Sequence, residues 1–221
     1  MAHMDTASVA IMPSMTAWSV IDLSLVLAMW TVMMAAMMLP SSVPMVLSFA
    51  SLTRQRRVQR LPYAKTSVFV LGYLTVWAGF SLMATLAQWG LLEGRLVTPM
   101  MVSATPKLAS ACLIIAGVYQ LTPLKRRCLA KCASPLGFLL NEWRDGPFGA
   151  WTMGWRHGAY CVGCCGVLMA LLFVFGVMNV LWVAVLSAYV LLEKLLPRVR
   201  WLPFLAGAAL LVWGLAVAIV S

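Results

Sequence analysis

Between Cys161 and Leu192 the chain carries no charged residue. Drawn out as one helix, that segment would be about 48 Å long, against a hydrocarbon thickness of about 30 Å. Long apolar runs recur before and after it. They are not interrupted by alternating polar residues, so they fit membrane-spanning helices and not the strands of a barrel. Composition agrees: 63% of the 221 residues are apolar and 10% are charged, too little charge to cover a soluble globule. The expected fold is all-α, a polytopic transmembrane helical bundle in which residues 1–221 form a single integral membrane domain.

About six spans are expected, at residues 18–39, 66–89, 106–124, 158–176, 178–195 and 201–220. Pro40 and Pro44 either end the first span or bend it, because a straight helix from Trp18 to Leu52 would overrun the bilayer. "FGVMN" supplies a glycine and an asparagine at the middle of the uncharged stretch, which suits a tight reversal between the fourth and fifth spans. The basic residues support that split. Arg54, Arg56, Arg57, Arg60 and Lys65 follow the first span. Lys125, Arg126, Arg127, Lys131, Arg144 and Arg156 follow the third, and Lys194, Arg198 and Arg200 follow the fifth. With six spans all of these share one side, leaving Arg95 and Lys107 on the other. The positive-inside rule then puts both termini outside. A bacterial inner membrane is the expected location. The N-terminal stretch has no basic region ahead of an apolar core, so no cleaved signal peptide is expected. The net charge of +10 is accounted for by these loops and anionic lipid, and nucleic acid is not an expected partner.

The first span is rich in sulfur. Met29, Met33 and Met37 stand four apart on one helix face, and Met34 and Met38 form a second stripe beside it. Methionine fills irregular gaps in bundles, but it is also a soft, neutral ligand. Ten of the sixteen methionines fall in the first forty-five residues, a density that favours ligation over filling.

Cysteine is the stronger signal. "KRRCLAKC" places Cys128 and Cys132 four apart beyond the third span. "RHGAYCVGCCG" places His157, Cys161 and Cys165 at successive steps of four, with Cys164 beside them. A connection that folds back between the third and fourth spans would bring both groups together. Thiolates and thioethers select Cu(I), and thiolates with imidazole also suit zinc. The surrounding Lys125, Arg126, Arg127, Lys131 and Arg156 favour the thiolate form. Cys112 stands alone in the third span and reads as a small buried hydrophobe. Asp22 reads as a helix cap, Glu193 and Lys194 as a paired or snorkelling span end, and Tyr119 and Gln120 as groups able to orient a ligand. Met169 could extend a sulfur path outward from Cys165.

These motifs, "MWTVMMAAMMLP", "YQLTPLKRRCLAKCASP", "RHGAYCVGCCGVLM", "GVMN" and "LLEKLLP", together resemble a bacterial family of uncharacterised integral membrane proteins predicted to bind metal. The resemblance runs from the first span through the fifth. It implies an inner-membrane location and metal binding, with copper among the candidates, at Met33, Met34, Met37, Met38, Cys128, Cys132, His157, Cys161, Cys164 and Cys165.

The expected function is therefore handling of a soft metal ion, Cu(I) ahead of zinc. A Cys/His cluster on the cytoplasmic side would capture or release it, and the methionines would offer weaker neutral sites. Neutral thioethers leave no uncompensated charge in hydrocarbon. There is no glycine-rich nucleotide-binding loop, so movement of the ion would be passive, gradient-coupled or driven by a partner. Transfer to a membrane enzyme or exchange with a metallochaperone is equally compatible, and whether any catalysis occurs is left open. Two alternatives remain: a non-catalytic structural or assembly subunit of a membrane complex, and a membrane thiol–disulfide or metal-dependent redox protein using Cys161 and Cys164.

Overall fold

The computed structural model describes residues 19–94, 106–196, 199 and 201–220. Trp18, where the first span is expected to start, lies outside them, as do Arg95, Arg198 and Arg200 and both termini.

All regular structure among the described residues is helical. Helix α1 (Val20–Val58) starts at a capping box. Ser19 Oγ accepts from the Asp22 amide at 3.3 Å, and the Ser19 amide donates to Asp22 Oδ2 at 2.9 Å. The helix then runs through Pro40 and Pro44 without a break, continuing past Leu39 as the alternative of a longer first helix to about Leu52 allows. At about 58 Å it exceeds the hydrocarbon thickness, and its last turns carry Arg54, Arg56 and Arg57. Side chains serve the carbonyls near the prolines. Tyr73 Oη donates to the Met38 carbonyl at 3.1 Å, and Ser187 Oγ donates to that of Met37 at 3.3 Å.

Helix α2 (Thr66–Glu93) follows a short connection. After a segment outside the described residues come α3 (Pro106–Leu121) and α4 (Pro123–Cys132), which meet at a 66° bend. Thr122 caps α4 by accepting from the Lys125 amide, and Pro123 occupies its first turn. The short α5 (Pro135–Glu142) leads to α6 (Gly146–Ala170), which begins twelve residues before the Gly158 start expected of the fourth span. Helix α7 (Leu172–Phe175) ends at Gly176, whose φ of 90° suits glycine alone. Asn179 then caps α8 (Val180–Leu195), and α9 (Trp201–Val220) closes the described fold.

Two glycine-lined contacts hold the bundle. Helices α2 and α6 approach so closely that a Cβ on Gly154 would sit 2.0 Å from the Phe69 carbonyl oxygen. Helices α3 and α9 meet at Gly117 and Gly207 in the same manner. Small residues that admit a second backbone are the usual means of joining helices in lipid. Large apolar side chains such as Val32, Ile115, Val212 and Ile219 point outward and are exposed in the isolated chain, as a lipid-facing surface requires.

Four helical segments, Val20–Val58, Thr66–Glu93, Gly146–Phe175 and Trp201–Val220, are long and apolar enough to cross a membrane. There are five if the bent α3–α4 pair is one span. The fold is thus all-α and consistent with a polytopic membrane protein. It falls short of six spans by helix length alone, because α8, with 16 residues, is about 24 Å long.

Near the α3–α4 bend a charged pair is fully buried. Lys125 Nζ lies 2.5 Å from Glu193 Oε1 and also donates to Gln120 Oε1; Tyr189 Oη donates to Glu193 at 3.0 Å. Lys125 is therefore not the solvated loop base that the sequence suggests, and Gln120 accepts from it. Glu193→Gln is expected to strand the ammonium and cost about 3–5 kcal/mol of stability. Adding Lys125→Met should restore most of it. Thermal unfolding in detergent of the single and double variants measures both effects.

Candidate metal centre

Five helices deliver side chains to one buried point. Helix α6 supplies Cys161, Cys164 and Cys165 from successive turns, and all three are buried. The 66° bend at Thr122 turns α4 back against α6, which brings buried Cys132 within hydrogen-bonding reach of both Cys161 and Cys164. The two cysteine groups of the sequence therefore meet, through Cys132. Helix α1 adds Met38, whose Sδ lies 3.7 Å from Cys165 Sγ. Helix α2 adds Tyr73, with its Oη 3.3 Å from Cys161 Sγ. Helix α8 adds Lys194, whose ammonium donates to Cys161 Sγ at 3.0 Å and to Ser41 Oγ at 2.7 Å.

Cys161 is the hub: its side chain interacts with Cys132, Cys164, Cys165, Tyr73 and Lys194. The other two α6 thiols turn back onto their own helix. Cys164 Sγ and Cys165 Sγ donate to the Cys161 carbonyl at 3.1 and 3.0 Å. As it stands the cluster is a hydrogen-bonded set of free thiols around an ammonium, and not an open coordination sphere. Accordingly, among the described residues no three His, Cys, Asp or Glu side chains are arranged so that they could hold a metal ion. Rotating Cys164 and Cys165 off the carbonyl is the change that would free their sulfurs.

His157 lies one turn before Cys161. Its ring is buried against Phe69, Tyr73 and Phe138, and neither ring nitrogen has a hydrogen-bond partner. Buried imidazole nitrogens are normally satisfied, so the ring's N–H and its bare nitrogen are both left without an assigned task among the described residues. Cys128 is outside the cluster. It is half-buried and packs on α6, where a Cβ at Gly163 would come within 2.9 Å of its Sγ. Tyr119 Oη donates to the Gly163 carbonyl and so fixes α3 against α6; it is not aimed at a ligand site.

The methionines divide. Met34, Met37 and Met38 are buried, while Met29 and Met33 are partly buried against the same core. Met38 is the one of these five shown in contact with a thiol. Met169 is buried in the core as well, one turn beyond Cys165.

Lys194, Tyr73 and Ser41 are not apparent from the sequence as members of this site. Lys194 reads there as a span-end base that pairs or snorkels. The structure buries it, 6% exposed, with its charge directed inward. The one available hint is the Glu-Lys pair inside "LLEKLLP", a costly insertion at the end of an apolar run.

An all-α bundle with membrane-length helices is consistent with a membrane protein, and its core places buried thiols beside a thioether. The donor chemistry suits Cu(I). The comparison with known families agrees in its theme: the family model PpoB2, described as "Copper chaperone", matches residues 27–217. The chain belongs to that family. No curated protein and no solved structure matches it.

Proposed function

We propose that this protein takes up Cu(I) at the buried thiol cluster and transfers it to a partner, either a membrane enzyme or a metallochaperone. The observation that carries this reading is the meeting of Cys132 with Cys161 and Cys164, with the Met38 sulfur adjoining through Cys165. Cys161 and Cys132 are the primary ligands, coming from different helices. Cys164 and Cys165 become available when they leave the Cys161 carbonyl. Met38 contributes a neutral sulfur, and His157 is a reserve donor one turn away. Half-buried Cys128 is an entry ligand. Met29, Met33, Met34 and Met37 continue the sulfur path along α1 as weak sites from which the ion can leave again.

In the membrane the chain crosses six times, with both termini outside and the thiol cluster toward the cytoplasmic face of an inner membrane. Helix α8 makes a short crossing after the Gly176 reversal. This arrangement keeps Arg54, Arg56, Arg57, Lys131, Arg144 and Arg156 on the inner side.

Anaerobic Cu(I) titration of the protein purified in mild detergent tests the reading. Retained Cu(I) that survives competition from a chromogenic chelator is the expected result, with zinc held more weakly. Met38→Leu should keep the fold, since the volumes are similar, and should weaken Cu(I) retention. Replacing Met33 and Met37 with leucine should leave retention intact and slow release to an acceptor. A folded wild-type protein that retains no Cu(I) would refute the assignment.

A further inference from the structure

The Lys194 ammonium is buried and forms no ion pair with a described carboxylate. Its chain neighbour Glu193 is already committed to Lys125. The groups shown to accept from it are Ser41 Oγ at 2.7 Å and Cys161 Sγ at 3.0 Å. A lone cation in an apolar bundle is costly, and such residues usually serve a function. Here the ionisable group shown against it is the Cys161 thiol of the cluster.

We propose that Lys194 is the counter-ion of the occupied site, and that its charge fixes the loaded form as one monovalent copper held by two thiolates. The inference rests on the Cu(I) reading above and adds stoichiometry to it. When the ion enters, two thiols each lose a proton to water and two copper–sulfur bonds form. Copper remains Cu(I), and no electron moves. The resulting copper bis-thiolate bears one negative charge, and the Lys194 ammonium cancels it. Met38 can join as a neutral third donor without disturbing that balance. A third thiolate would leave a net negative charge in the bundle. Zinc in a tetra-thiolate site would do the same, because that complex carries two negative charges against one ammonium. Lys194 therefore sets how many thiolates an ion can hold without leaving net charge: two for Cu(I), three for a divalent ion such as zinc.

The test compares Cu(I) affinity by chelator competition in wild type, Lys194→Met and Lys194→Arg. At an effective dielectric constant of about 20 and a separation of about 4 Å, losing the charge should weaken binding on the order of a thousandfold. Lys194→Arg, which keeps the charge, should retain most of the affinity. Equal affinity in wild type and Lys194→Met would overturn the proposal. X-ray absorption on loaded wild type gives a second measurement that needs no variant to fold. Two thiolate sulfurs are expected, and selenomethionine labelling separates the Met38 contribution. Three or more thiolates would overturn it. Wild type that binds no Cu(I) would refute the copper reading itself and this inference with it. Wild type that binds Cu(I) with Lys194→Met unaffected would refute only the inference.

Discussion

Cys161→Ser is expected to abolish retained copper while leaving a folded protein. Cys161 interacts with the other three thiols, as Cys164 also does, and it is the thiol of the four shown hydrogen-bonded to Tyr73 and Lys194 as well. A serine oxygen is a hard, poor ligand for Cu(I). Its hydroxyl can still accept from Lys194, so the ammonium is not left without partners. The loss of affinity should exceed about a hundredfold, beyond the 10–100-fold typical of an outer-shell change. Cys112→Ser is the control, because Cys112 lies on α3 away from the cluster and no described interaction joins it to the other thiols. Metal-to-protein ratio and thermal unfolding, measured on both variants, separate ligand loss from collapse. Equal effects of the two substitutions would sink the assignment of Cys161 as hub.

Some of this site is legible in the chain. The step of four that links His157, Cys161 and Cys165 depends only on local helical geometry, and α6 runs through all three. The same rule applied to Cys128 and Cys132 correctly puts both on the side of α4 toward α6. It does not say which thiol enters the cluster. That is decided by the 66° bend and by the depth at which α4 meets α6: Cys132 reaches Cys161, and Cys128 stops against Gly163. Lys194 fails for a related reason. Loop charge is a sound guide to orientation when the base is solvated, but a base at the end of a span can also turn inward, and only the packing of α8 against α1 determines which. The prolines leave open in the sequence whether the first span ends or bends, and the helix continues through both. Pro40 and Pro44 lie within α1, and hydroxyls on α2 and α8 donate to the nearby carbonyls of Met38 and Met37. Those partners lie 35 and 150 residues away in the chain, beyond any local pattern.

Gly154→Ala should cause the largest loss of stability from a single added methyl group. The new Cβ would sit 2.0 Å from the Phe69 carbonyl oxygen and 3.1 Å from the Tyr73 amide nitrogen. Both are backbone atoms in α2, so no side chain can rotate aside, and the helices must separate. Overpacking of a core costs about 1–3 kcal/mol, and a clash between two backbones belongs at or above the top of that range. Gly79→Ala, also on α2, is the matched control, since nothing lies within 4 Å of its Cβ position. There alanine should be neutral or slightly stabilising through its better helix propensity. The effect should reach the metal centre as well. Tyr73 on α2 lies 3.3 Å from Cys161 Sγ on α6, and the contact at Gly154 sets that spacing. Separating the helices withdraws Tyr73 from Cys161 and from the Met38 carbonyl, loosening α1 at the residue that brings its sulfur to Cys165. Gly154→Ala should therefore lower both the unfolding temperature and Cu(I) affinity, although Gly154 offers no ligand atom. A variant with wild-type unfolding and wild-type affinity would show that α2 and α6 do not pack this closely, and that the thiol cluster does not depend on their approach.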